Sequence, residues 1–157
     1  MLESKFGNWE SEASQQKLSL FNVNFPKSRK VYLIDKPNAI QSYIVAGQLL
    51  PPTGSDDEIL MEYMNYAIGG SFTSRLNMNL REDKSWSYGV RNRLADAKGH
   101  RSILVNAPVQ TDKTIPSIQE LIREYDEYLS TNPVTADELT KAKASRTLRL
   151  PGQFETL

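Results

Sequence analysis

Residues 69–90 read GGSFTSRLNMNLREDKSWSYGV, and this one stretch holds a helix stop, a new helix, a turn and a strand. Phe72, Leu76 and Leu80 recur at intervals of four, which predicts a short helix from Thr73 to about Glu82. Asp83-Lys84-Ser85 then turns the chain. Beyond the turn, Trp86, Tyr88, Val90, Asn92 and Leu94 alternate with Ser87, Gly89, Arg91 and Arg93, the period of an antiparallel strand with one solvated face. The Gly69-Gly70 pair has no following Gly-Lys-Ser/Thr, so it is no phosphate loop. By default it is a helix stop needing left-handed backbone angles.

Upstream, Val31 to Lys36 (VYLIDK) is β-rich and closes at the Pro37-Asn38 turn signal. Ile40 to Leu50 follows as a second strand. It has Ile40, Ile44 and Ala46 on one face, Tyr43 and Val45 on the other, which predicts a buried central strand. Ser55-Asp56-Asp57-Glu58 has the spacing of a capping box. The helix it opens carries a stripe of Ile59, Leu60, Tyr63, Met64, Ala67 and Ile68.

Downstream, Asp96 to Gly99 forms a hairpin loop, and Arg101 to Val109 returns as the partner strand. A long helix is predicted from Ile115 to Leu129, stopped by Asn132-Pro133. A second capping box, Thr135-Ala136-Asp137-Glu138, opens a helix with a solvated basic face of Lys141, Lys143, Arg146 and Arg149. The order β-β-α-α-β-β-α-α predicts an α+β fold. Its form is a two-layer sandwich, a mostly antiparallel sheet covered by helices on one face. Residues 1–28 read as a lead-in or linker, and residues 29–157 as the folded domain.

With 157 residues, 39% hydrophobic and 24% charged, the chain is most simply one globular domain. Lys+Arg and Asp+Glu both number 19, a balance that favours neither nucleic acid nor an anionic membrane. No apolar run has the length of a membrane span, and the polar first residues lack the apolar core of a signal peptide. The sequence has no cysteine and one histidine, His100. Thiolate chemistry is excluded, as is any two-histidine metal motif, and a self-contained zinc site is improbable. His100 follows Lys98-Gly99 and reads as an exposed turn histidine rather than a triad member.

Two side chains stand out chemically. Arg81 ends the short helix, on the side away from the Phe72/Leu76/Leu80 stripe, and Tyr88 opens the strand beyond the turn. A guanidinium fork and a neutral phenol at one rim would suit a carbonyl oxygen gaining negative charge. The pair contains no nucleophile, base or metal ligand. Two plainer readings stay open from the pattern alone: Tyr88 shares a face with Trp86 and Val90 as a core residue, and Arg81 pairs with Glu82 or Asp83.

Taken together, these residues resemble the C-terminal, non-zinc-binding domain of the pitrilysin/insulinase-type zinc metallopeptidases, the group with the inverted H-x-x-E-H motif. The carrying features are Gly69-Gly70, Ser74-Arg75-Leu76, Leu80-Arg81-Glu82 and a tyrosine seven residues after that arginine. YLIDKPNAIQSYIVAG (32–47) and VTADELTKAKA (134–144) are similar to the opening strands and the late helix of the same domain. Ser85 stands where the family has glycine.

The resemblance implies a two-layer α+β domain that faces an H-x-x-E-H domain or subunit carrying the zinc. It also implies that Arg81 and Tyr88 bind the substrate peptide carbonyl. This chain would then hold no metal and no catalytic residue of its own. The alternative within the family is a catalytically inactive scaffold subunit. The family domain continues past this helix, so the chain is expected to be truncated at its C-terminal end. Compartment stays open, although a bacterial periplasmic member would suit the lack of cysteine.

Overall fold

Strand β3 organises the molecule. Arg101–Gln110 alternates buried Arg101, Val105, Ala107 and Val109 with more accessible neighbours, so one face of the strand looks into the core and the other outward. In the computed structural model, which describes residues 2–8, 19 and 23–155, β3 lies at the centre of a three-stranded antiparallel sheet. Strands β1 (Gln41–Leu50) and β2 (Arg91–Leu94) flank it in the order β1-β3-β2. The register pairs Ala46 with Val105 on one side of β3 and Asn92 with Val105 on the other.

The helices complete the α+β architecture. A short α1 (Leu2–Phe6) lies within the expected lead-in, of which residues 9–18 and 20–22 lie outside the described residues. Helix α2 (Glu58–Asn65) runs on into a π turn, Tyr66–Gly70. Helix α3 (Arg75–Asn77) does the same through Met78–Asp83. After β3, a 3-10 turn, Thr111–Lys113, leads into α4 (Thr114–Tyr128), and α5 (Ala136–Phe154) follows. The core is a single cluster of Ala67, Ile68, Leu76, Leu80, Val90, Val105, Ala107, Val109, Leu121 and Tyr128. None of the described helices is long and apolar enough to cross a membrane.

Several expectations need correction. Residues 31–36 form no strand: Val31, Tyr32, Leu33 and Ile34 are 80–93% exposed. The turn that follows supplies a physical reason. Ala39 donates its N–H to the Lys36 carbonyl at 3.2 Å, and Asn38 sits at φ 63°. This is the left-handed third residue of a type II turn, whose twist splays two strands instead of pairing them. Strand β1 is consequently an edge strand and not a buried central one, with Tyr43 and Val45 exposed.

The first capping box does not form. Asp57 is the N-cap and makes no side-chain cap bond. The Glu58 carboxylate is drawn instead to Arg101 and to the Gly54 N–H. Only the C-terminal end of the α2 stripe reaches the core, with Ala67 and Ile68 buried and Ile59 and Leu60 exposed. The second capping box is formed as read, Thr135 and Glu138 each accepting from the other's backbone N–H.

Gly69 and Gly70 act through space and not through left-handed angles; Gly54 is the positive-φ glycine among the described residues. A Cβ on Gly69 would meet the Asn92 Cβ at 2.5 Å. The glycine is what lets β2 approach the end of the α2 π turn.

Candidate functional site

The short helix is anchored before it presents anything. Arg75, from the Ser-Arg-Leu start, donates to both Glu138 oxygens at 2.7 and 2.6 Å and to the carbonyls of Asn132 and Pro133. Its guanidinium also lies 4.9 Å from the Tyr128 ring centroid. This arginine therefore ties α3 to the α4–α5 connection. The bidentate guanidinium holds the Glu138 carboxyl down at about 2. The far end of the same segment is tied to α4, because Asn79 donates to Glu120 and Glu124 at 2.8 and 2.6 Å. The Glu120 carboxyl lies below its ordinary range: burial opposes the shift, and the Asn79 and Arg123 hydrogen bonds outweigh it.

Between these anchors the chain turns tightly. Ser85 adopts φ 56°, left-handed backbone in which a side chain is strained. Its carbonyl accepts from the Gln110 side chain at 3.1 Å, and Trp86 and Gln110 are joined through their backbones. The expected β alternation then breaks. Ser87 bridges to Val109, and its hydroxyl bonds the Pro108 carbonyl and the Gly89 backbone. Regular pairing resumes only at Arg91.

That local turn decides where Tyr88 points. Tyr88 is 87% exposed while Val90 is fully buried, so the reading of Tyr88 as a core neighbour of Trp86 and Val90 is overturned. The side chain is expelled because Ser87, and not Tyr88, satisfies the backbone at the bend.

Arg81, in the π turn, takes a different setting from the one expected. Its guanidinium stacks 4.5 Å from the Phe72 ring centroid, and its Nε lies 3.3 Å from Glu82. Arg81 thus faces Phe72 and does not turn away from it, and it pairs with Glu82, as the plainer reading had it.

Arg81 and Tyr88 line one small cavity of about 80 Å³, together with Ser71, Phe72, Asn77, Gly89, Val90 and Arg91. Asn77, buried, stitches the walls together by donating to the Phe72 carbonyl and accepting from the Val90 N–H. The cavity has room for a few water molecules or for one small polar group such as a peptide carbonyl. It contributes hydrogen-bond donors and one aromatic face.

Phe72, Asn77 and Arg91 were not picked out as site residues. Only the Ser87 turn and the close packing around Asn77 bring them to the cavity, and neither leaves a sequence signal. His100 is half-buried with its ring edge-on to Phe25, and not the exposed turn histidine expected. Among the described residues, no group of three His, Cys, Asp or Glu side chains is placed to hold a metal ion.

The family model described as peptidase M16 inactive domain matches residues 1–146. No curated protein matches the sequence. Among solved structures, the chain is similar to a peptidase M16 inactive domain from Pseudomonas fluorescens, with a TM-score of 0.63 and 23% identity over 68% of this chain and 26% of that one. It is similar to a protease from Helicobacter pylori, with a TM-score of 0.68 and 17% identity over 77% of this chain and 29% of the other. A conserved protein from Enterococcus faecalis gives a TM-score of 0.60 and 18% identity over 71% and 27%. The match therefore spans between a quarter and a third of each of these longer chains.

Proposed function

Because the chain belongs to the peptidase M16 inactive-domain family, we propose that it is the substrate-holding half of a zinc metalloendopeptidase. Its partner would be an H-x-x-E-H domain or subunit that carries the metal and the activated water. This chain's own residues do not fit a zinc site, with one histidine and no cysteine, and no step of the chemistry is assigned to metal bound here.

Its residues act on the substrate instead. The Tyr88 hydroxyl and the Arg81 guanidinium each donate to the scissile carbonyl, and both bonds strengthen as the oxygen gains negative charge. Phe72 keeps the guanidinium plane from swinging into solvent, since a cation held over a ring face gains from the ring quadrupole. Ser85 and Ser87 fix the turn that carries Tyr88 outward.

The observation that carries this reading is the exposed Tyr88 sharing a cavity with Arg81. A phenol and a guanidinium at one cavity place two hydrogen-bond donors where a peptide carbonyl can reach both. The alternative, a catalytically inactive scaffold subunit, needs neither donor. Reconstitution separates the two. With the H-x-x-E-H partner added, the chain should support peptide cleavage, whereas alone it should show neither bound zinc nor activity. Cleavage by the partner that proceeds at the same rate without this chain would count against the proposal.

A further inference from the structure

The cavity wall holds a second guanidinium that the carbonyl-holding role does not use. Arg91 opens β2 and is exposed, and its side chain makes no hydrogen bond or ion pair among the described residues. Most arginines of this electrically balanced chain are neutralised locally. Arg75 pairs with Glu138, Arg81 with Glu82, Arg101 with Glu58, Arg123 with Glu120, Glu124 and Glu127, and Arg146 with Glu62.

Arg91 stands in a cavity with Arg81 and no carboxylate. Arg93, two residues along the same strand face, is placed differently, because its cavity is shared with Glu58, Glu62 and Asp96. Arg91 is therefore the guanidinium of this cavity that has no carboxylate beside it, next to Tyr88.

Resting on the substrate-holding reading above, we propose that Arg91 pairs with a side-chain carboxylate of the bound peptide, next to the carbonyl held by Arg81 and Tyr88. The chain would then select acidic peptides. A guanidinium fork left without an internal acceptor matches a carboxylate in geometry and charge. Its exposure costs little desolvation, so the gain is that of a partly screened, charge-assisted pair.

The test uses the 157-residue chain and labelled unstructured peptides of one length that carry Glu, Gln or Lys at a single scanned position. Binding is followed by fluorescence anisotropy. At low salt the best Glu peptide should bind about two- to fivefold more tightly than its Gln counterpart, the scale of one exposed ion pair. That ratio should fall toward unity in Arg91→Gln, persist in Arg93→Gln, and invert in favour of Lys in Arg91→Glu. The melting temperature of Arg91→Gln should match wild type, since the side chain has no internal partner to lose. Equal binding of Glu and Gln peptides, or an unchanged ratio in Arg91→Gln, would overturn the Arg91 assignment alone. Failure to bind any peptide would overturn the substrate-holding reading, and this one with it.

Discussion

Ser85 shows how one residue carries the cost of a site. It occupies a left-handed turn position, φ 56°, where a Cβ is unfavourable by about 1 kcal/mol. Ser85→Gly should therefore raise stability by about that amount in a urea titration, with the slope of the transition unchanged. Gly69 presents the opposite case. Its missing Cβ is the space that Asn92 fills at 2.5 Å, and the obstruction is another Cβ rather than a flexible tip. Gly69→Ala should accordingly destabilise by about 1–3 kcal/mol, the usual penalty for overpacking, in the same titration. Tyr88 belongs to neither class. Being 87% exposed with its hydroxyl directed to no partner among the described residues, it can become Phe with little effect on folding, so any loss it causes in turnover reports on substrate.

At the scale of elements, two arginine pairs hold the site's frame, and they answer to different variables. Arg101, whose side chain is 0% exposed, donates to both Glu58 oxygens at 2.9 and 2.5 Å and to the Pro51 carbonyl at 3.1 Å. Removing the carboxylate with Glu58→Gln leaves a buried guanidinium whose remaining counter-charge is the exposed Asp96, 4.0 Å away. Thermal denaturation should show a loss of about 3 kcal/mol, the lower end of the range because Pro51 and partial solvent access at Glu58 remain.

The Arg75–Glu138 pair responds to acid. The Glu138 carboxyl is lowered from an ordinary 4.5 to about 2. Its contribution is fully present above pH 4.5 and fades as the pH falls toward 2. The melting temperature of wild type should thus drop through that window, and Glu138→Gln should lower it at neutral pH while flattening this part of the profile.

These pairs also explain where the sequence was legible. The helical start and the turn after residue 82, the β2–β3 hairpin, α4 and the Thr135–Glu138 box were readable because each rests on local spacing, whereas the strand expected from Trp86 begins only at Arg91. The Ser55–Glu58 box was misleading because Arg101, 43 residues away, competes for the same carboxylate. Long-range ion pairs have no local signature.

At the scale of the whole molecule, apolar side chains stand on the surface of several elements. Among the described residues, Val31 to Ile34 stand exposed, β1 forms a sheet edge, and α4 shows Ile115 and Ile122 to solvent. The sequence pattern read the first two as a paired strand and a central strand, since apolar alternation records what a segment prefers to bury and not whether a neighbour is present. The candidate site was legible in part for a related reason. Arg81 and Tyr88 are fixed in spacing, but the Ser87 turn that exposes Tyr88 and the approach of Arg91 depend on tertiary packing.

The most direct measurement of the central claim is steady-state peptide hydrolysis by the chain combined with the proposed H-x-x-E-H partner, comparing wild type with Arg81→Ala and Tyr88→Phe. Loss of one oxyanion donor should lower kcat by about 10²–10³-fold in each variant, with circular dichroism and complex formation unchanged. Wild-type kcat in both variants would contradict the account.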